Sequence, residues 1–135
     1  GVPENKKIAV RWLTLAADQG IIDAQYKLAL IYQTGRDIPQ DYEAAVGWYA
    51  LAAKQGHGVS QNNLGVMYEI GRGVSPDYTE AVKWYSTAAE NGFSRAQNNL
   101  GNFNFIQCSY NRKYNTGRMK HSNFYSVWFY IFTCK

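Results

Sequence analysis

The first 107 residues contain no cysteine, because Cys108 and Cys134 are the only two in this chain of 135 residues. Their absence there excludes a disulfide framework from that part of the chain, and the wide spacing of the pair offers no CxxC zinc or redox motif. No apolar run reaches the roughly 18–20 residues of a membrane-spanning helix. With only three prolines and moderate charge, the sequence predicts a folded domain rather than a disordered polymer.

The chain also lacks an initiator Met and an apolar leader, since it begins Gly1-Val2-Pro3. We therefore expect a piece of a longer protein, and the compartment (cytoplasmic, periplasmic or secreted) stays open.

Acidic residues are missing after Glu90, which divides the chain by composition. Residues 1–101 carry nine Lys and Arg, ten Asp and Glu, and fourteen alanines, whereas residues 102–135 carry five cations, ten aromatics and no alanine. We expect two segments that join near residue 102. The excess charge of +4 is concentrated in the second segment.

Residues in the first segment recur at a constant offset of 36. The recurring set combines small residues with a tryptophan: Ala9, Trp12, Ala16, Ala17 and Gly20, then Ala45, Trp48, Ala52, Ala53 and Gly56, then Ala81, Trp84, Ala88, Ala89 and Gly92. A second set keeps the same register: Gln25, Gln61 and Gln97, and Leu28, Leu64 and Leu100. Such a period indicates a repeat architecture in which neighbouring units stack.

Each period contains two amphipathic helical patterns separated by Gly- and Pro-containing connectors. Asp41 and Asp77 occupy plausible N-cap positions, and Gly56 follows the end of a helix. We expect the recurring small residues to let two helices approach closely and the tryptophans to lie in the core. The predicted fold is all-α: a right-handed α-solenoid of antiparallel helix pairs, with an irregular C-terminal tail.

This pattern resembles the Sel1-like repeat, a 36-residue relative of the tetratricopeptide repeat. The matching residues are Ala24, Leu28, Tyr32, Gly35, Asp41, Ala45, Trp48, Ala52, Ala53 and Gly56, followed by Leu64, Gly65, Tyr68, Gly71, Gly73, Val74, Asp77, Ala81, Trp84, Ala88, Ala89 and Gly92. The resemblance gives a partial repeat at 1–20, repeats at 21–56 and 57–92, and a partial repeat at 93–101. Neither end has an obvious polar cap, so we expect a longer parent array.

The tail, residues 102–135, departs from the period, since Lys120 stands where a tryptophan is expected. Four interpretations remain open: a degenerate capping helix or strand, an out-of-frame or read-through translation, a basic-aromatic membrane-surface segment, and a nucleic-acid-binding strip. Five dispersed cations are a weak signal for the last of these, and we expect no nucleic-acid partner.

Catalytic, cofactor and metal motifs are not expected in this sequence. His57 follows a helix-ending glycine, where a surface turn is the simplest interpretation. Gly71-Arg72-Gly73 lacks the glycines and lysine of a phosphate-binding loop and is expected to be a connector. We therefore predict no catalytic residue, no cofactor and no metal.

We predict that the chain is not an enzyme and acts as a protein–protein interaction scaffold, as the Sel1-like resemblance implies. The partner would be a protein or peptide held on the concave face, which the first helix of each pair lines. The candidate residues are Tyr26, Lys27, Gln33, Asn62, Asn63, Glu69, Asn98 and Asn99, a polar set that suits an extended backbone. The alternatives are a structural spacer within a larger repeat protein and, third, a hydrolase. The sequence leaves the oligomeric state open.

Overall fold

A computed structural model describes residue 1 and residues 3–102. Five complete helices follow one another: α1 (Glu4–Asp18), α2 (Ile22–Thr34), α3 (Tyr42–Lys54), α4 (Gly58–Ile70) and α5 (Tyr78–Glu90). Residues 94–102 are also helical, and we call this stretch α6. No strand occurs among these residues. The all-α repeat fold predicted from the 36-residue period is confirmed.

The chain divides into two units, Gly1–Gln97 and Asn98–Lys135. The first unit contains α1–α5, and of the second the structure describes residues 98–102. The irregular tail predicted from residue 102 therefore lies, from residue 103 onward, outside the described residues.

In the first unit, consecutive helices pack against each other in chain order. Helices α2 and α3 form one hairpin, and α4 and α5 form the next. Helix α1 packs on α2, and α3 packs on α4, so the second helix of each period also contacts the first helix of the following one. This nearest-neighbour arrangement is the one expected for stacked repeats.

The second helix of each hairpin begins at an aspartate. A side-chain oxygen of Asp41 accepts a hydrogen bond from the backbone N–H of Ala44 at 3.0 Å, and Asp77 accepts one from Glu80 at the same distance. These bonds satisfy one of the N–H groups that the first turn of a helix leaves unpaired. The capping role predicted for both aspartates is confirmed.

The first helix of each hairpin ends at a glycine in the left-handed conformation. Gly35 has φ +64° after α2, and Gly71 has φ +70° after α4. L residues with a side chain rarely adopt this backbone geometry, which explains why glycine stands at both positions.

Small residues and tyrosines, rather than tryptophans, fill the centre of each hairpin. Ala29, Ala45 and Tyr49 are buried together between α2 and α3. Trp48 and Trp84 are half-buried at the margin of the core, and Trp12 is 68% exposed. Our expectation of tryptophans in the core is thus wrong for Trp12 and only partly right for the other two. The adjacent position, occupied by Tyr49 and Tyr85, is the fully buried one.

The second hairpin is packed so closely that one position requires glycine. A Cβ atom on Gly65 of α4 would lie 2.7 Å from the Tyr85 ring and 3.2 Å from the backbone oxygen of Ala81. Such distances are well inside van der Waals contact. The glycine therefore lets the tyrosine ring of α5 lie directly on the backbone of α4.

Glutamines in the same register tie each repeat to the previous one. The side-chain amide of Gln25 donates to the Ala17 carbonyl at 3.1 Å, and that of Gln61 donates to the Ala53 carbonyl at 3.0 Å. Both carbonyls lie in the last turn of a helix, where each also accepts a backbone N–H from the glycine that follows the helix. Both glutamines are buried. The recurrence of glutamine every 36 residues thus has a structural cause.

Candidate partner-binding surface

Tyr49 brings three of the predicted partner-binding residues together. Its hydroxyl donates to Oε1 of Gln33, with 2.5 Å between the oxygens. It is also hydrogen-bonded by the side chain of Asn63. The Tyr26 ring lies beside the Tyr49 ring, with 6.3 Å between their centroids. One tyrosine of α3 therefore joins polar side chains of α2 and α4, the first helices of successive repeats.

The next repeat contains the corresponding contact with a different acceptor. The Tyr85 hydroxyl donates to a carboxylate oxygen of Glu69 at 2.5 Å. Gln33 and Glu69 are 36 residues apart, as are Tyr49 and Tyr85. The surface therefore repeats one hydrogen-bonding unit, neutral in the first hairpin and acidic in the second.

Both buried tyrosines hold their protons more tightly than a free phenol. Burial raises the pKa of Tyr49 to about 12, although the hydrogen bond with Asn63 acts in the opposite direction. Burial also raises the pKa of Tyr85, and the adjacent Glu69 carboxylate raises it further. Loss of either proton would place a phenolate where water cannot solvate it. Both hydroxyls therefore remain donors at neutral pH.

Each acceptor side chain has a second polar group besides the one that binds the tyrosine hydroxyl. Gln33 uses its Oε1 for Tyr49, and its second group is the side-chain NH₂, a donor. Glu69 uses Oε2 for Tyr85, and its second group is Oε1, an acceptor. Both side chains are half-buried. Successive repeats thus present a donor and then an acceptor.

The other predicted residues differ in accessibility. Lys27 is exposed on α2. Asn62 is only 2% exposed and has polar interactions of its own, so it is not available at the surface in this structure. Asn98 is exposed and Asn99 half-buried, and both belong to the second unit. The predicted partner-binding role of the whole set stays a prediction.

Sequence reasoning missed two residues that support this surface, the buried Tyr49 and the half-buried His57. His57 is half-buried immediately before α4, with its ring centroid 4.9 Å from that of Tyr26 and its Nδ1 atom 2.8 Å from the Ser60 hydroxyl. The expected surface turn is therefore a packed position. The 36-residue match between Tyr49 and Tyr85 could have identified the tyrosines, whereas His57 has no counterpart at residue 93.

An open groove of about 730 Å³ lies by the connectors, and none of the eight predicted residues lines it. Its lining consists of Val10, Tyr32, Ile38, Pro39, Gln40, Asp41, Tyr42, Glu43 and Gly73. Asp41 is already engaged as a helix cap, and the remaining polar groups form no catalytic constellation. Among residues 3–102, no group of three or more metal-binding side chains lies together. Within the same range, no helix is both long and apolar enough to cross a membrane.

The fold defines the class of protein: an α-solenoid built from antiparallel helix pairs. The family model for the Sel1 repeat matches residues 1–21, 22–57 and 58–93. This chain therefore belongs to the Sel1 repeat family. Proteins with these repeats generally act as protein-interaction scaffolds, and the fold is typically non-catalytic.

Solved structures of Sel1 repeat proteins are similar to this one. The c5321 protective antigen of uropathogenic Escherichia coli is 45% identical with a TM-score of 0.71, over 73% of this chain and 21% of the antigen. The chain thus spans about a fifth of that protein's length. A Sel1 repeat protein from Oxalobacter formigenes is 39% identical with a TM-score of 0.68, over 70% of this chain and 71% of the other.

Helicobacter pylori cysteine rich protein B shares the fold at 23% identity, with a TM-score of 0.67 over 70% of this chain and 71% of its own. No curated protein sequence matches this chain significantly.

Proposed function

We propose that this chain is a non-catalytic scaffold that binds an extended segment of a partner protein across α2 and α4. The observation that carries the proposal is the repeated tyrosine–acceptor pair, Tyr49 with Gln33 and Tyr85 with Glu69. An extended peptide presents carbonyl acceptors and N–H donors along its backbone. The side-chain NH₂ of Gln33 and the second carboxylate oxygen of Glu69 would meet both kinds of group.

Anchoring by the tyrosines supports this function because it reduces the entropy cost of binding. A glutamine free in solution loses rotamer freedom when it contacts a partner, whereas Gln33 and Glu69 are already held by one hydrogen bond each. Lys27 and Asn63 would add further polar contacts from the same unit. Asn98 and Asn99, in the second unit, are separate candidates for partner binding. Asn62 would contribute by supporting the surface, since its side chain is buried.

A library of random linear peptides displayed on phage provides a probe of defined chemistry. We expect the chain to enrich a set of peptides, and Lys27→Glu combined with Glu69→Lys to weaken their binding by tenfold or more, which is about 1.4 kcal/mol. The matched control is Lys54→Glu, which makes the same change at an exposed lysine near the end of α3. If nothing is enriched, or if the double variant binds as tightly as the control, the structural spacer replaces this proposal.

A further inference from the structure

The two residues that accept the tyrosine hydroxyls occupy the same place in successive repeats but differ in charge. Gln33 and Glu69 are each the next-to-last residue of a first helix, α2 or α4, and both side chains are half-buried. Each accepts a hydrogen bond from the tyrosine of the following helix, Tyr49 or Tyr85. A partner that contacts both positions therefore distinguishes them by the negative charge of Glu69.

A second difference concerns the backbone carbonyls of the same two residues. The side-chain amide of Gln40 donates to the carbonyl oxygen of Gln33 at 2.7 Å. The residue in register with Gln40 is Pro76, whose side chain has no donor, so the corresponding bond to Glu69 cannot form. The end of α4 thus carries a carboxylate and lacks a side-chain donor that the end of α2 has.

The position of Glu69 within its helix also favours a positive charge. Unpaired carbonyl groups give the last turn of a helix a partial negative charge, which attracts cations. The last turn of α4 contains no basic residue. The next cation along the chain, Arg72, has its guanidinium carbon 5.4 Å from the centre of the Tyr42 ring, where it forms a cation–π contact. The carboxylate and the helix end therefore act in the same direction, and both favour a cation supplied by a partner.

We infer that Glu69 binds a lysine or arginine side chain of the partner and thereby sets which part of the bound segment lies on α4. This inference rests on the proposed scaffold function. The Tyr85 hydroxyl holds Oε2 of the carboxylate in place, and Oε1 accepts from the ammonium or guanidinium group of the partner. At the equivalent position, the side-chain NH₂ of Gln33 is a donor and fits a carbonyl rather than a cation. The partner segment is therefore basic where it lies on α4 and presents an acceptor where it lies on α2.

Peptides selected from the phage library of random linear sequences provide the probe. We expect the wild-type chain to enrich peptides that share a lysine or arginine at one position. Glu69→Gln keeps an acceptor for the Tyr85 hydroxyl but removes the charge, and it should weaken the binding of a selected peptide roughly tenfold, the scale of one charge-assisted hydrogen bond. The matched control, Glu43→Gln, removes the same charge at an exposed glutamate of α3 and should leave the affinity unchanged. Far-ultraviolet circular dichroism verifies that both variants retain their helices.

A double-mutant cycle between chain and peptide tests whether the contact is direct. Replacing the basic residue of the peptide by glutamine should weaken binding to the wild-type chain roughly tenfold. The same replacement should have little effect on binding to Glu69→Gln, because the interaction is already absent there. In the reciprocal experiment, Gln33→Glu places a carboxylate on α2, and selection against this variant should enrich peptides that carry a second basic residue.

The outcomes separate this inference from the function on which it rests. Enriched peptides without a shared basic position would overturn the inference and leave peptide binding intact. So would a selected peptide that binds equally to the wild-type chain and to Glu69→Gln. Independent losses in the cycle would assign Glu69 a supporting role in the fold and overturn the inference as well. A library from which nothing is enriched would overturn both the inference and the proposed function.

Discussion

The two complete hairpins have the same register but differ in the contact between their two helices. In α2–α3, Ala29 packs between the helices beside Tyr49 and is fully buried. In α4–α5, the corresponding Gly65 leaves no room for a methyl group because the Tyr85 ring occupies that space. The group that accepts the hydrogen bond of the tyrosine hydroxyl also differs. It is an amide in one hairpin and a carboxylate in the other. The repeat thus fixes which positions meet, while each hairpin adjusts how closely its helices approach.

Removing the central tyrosine should have the largest effect, and a similar one in each hairpin. Tyr49→Ala and Tyr85→Ala should each lower the free energy of unfolding by about 3–5 kcal/mol, because a fully buried aromatic ring is lost. Trp48→Ala removes a half-buried ring and should cost roughly half as much. Urea unfolding monitored by circular dichroism measures these differences. A greater loss for Trp48→Ala than for Tyr49→Ala would contradict the packing described above.

Changing the small residue at the contact between the two helices should affect the stability of the two hairpins differently. Gly65→Ala should destabilise by about 1–3 kcal/mol, because the added methyl group meets the Tyr85 ring. Ala29→Gly should cost about 1 kcal/mol through helix propensity and a lost methyl contact. The control is Gly47→Ala in α3, where no atom of the described residues lies within 4 Å of the Cβ position. It should stabilise by about 0.5–1 kcal/mol, and thermal unfolding of the three variants would reveal whether the signs differ as expected.

Replacing the glutamines that join successive repeats should have a smaller effect on stability. The loss should be greater where the glutamine is buried. Gln25→Ala and Gln61→Ala each remove a buried side-chain hydrogen bond to a carbonyl in the last turn of a helix and should cost about 1–2 kcal/mol. Gln97 makes the corresponding bond to the Ala89 carbonyl at a longer 3.4 Å and is exposed, so Gln97→Ala should change stability by less than about 0.5 kcal/mol. Equal losses at all three positions in chemical denaturation would show that burial is not the determining factor.

The difference between the amide and carboxylate acceptors should be visible in the pKa values of the two tyrosines. Replacing the carboxylate by Glu69→Gln should lower the pKa of Tyr85, and Gln33→Glu should raise that of Tyr49 above about 12. The folded pKa values lie above the unfolded value near 10, so the protonated tyrosines favour the folded state. Their contribution to the free energy of unfolding is complete below pH 10 and disappears as pH rises through the folded pKa. NMR of the tyrosine Cζ carbons follows each ring separately. An unchanged pKa of Tyr85 in the Glu69→Gln variant would mean that the carboxylate does not influence the titration of this tyrosine.

The sequence was sufficient for the fold because the same residues recur without insertions. The offset of 36 identified both hairpins, the aspartate caps and the helix-ending glycines, all of which depend on local backbone chemistry. The offset was less informative about which aromatic residue lies buried at the centre of each hairpin. Trp48 and Tyr49 are neighbours in one amphipathic stripe, and their burial differs only by the rotation of the helix, which tertiary packing sets.

Burial and pairing at the candidate surface were harder to predict. Periodicity placed Asn62 and Asn63 together on one face, yet the first is buried and the second bonds to Tyr49. The hydrogen bonds from Tyr49 to Gln33 and from Tyr85 to Glu69 connect residues 16 apart on different helices. Such contacts depend on the angle between helices. A pattern of single residues along the chain carries little information about that angle.

The central claim is that small residues and tyrosines at fixed positions hold the helices of each repeat together. A double-mutant cycle between Gly65→Ala and Tyr85→Leu tests it most directly, because the two changes affect opposite sides of one contact. Gly65→Ala should cost about 1–3 kcal/mol when Tyr85 is present and less than about 0.5 kcal/mol in the Tyr85→Leu background, where the ring is absent. An equal cost of Gly65→Ala in both backgrounds would contradict the account.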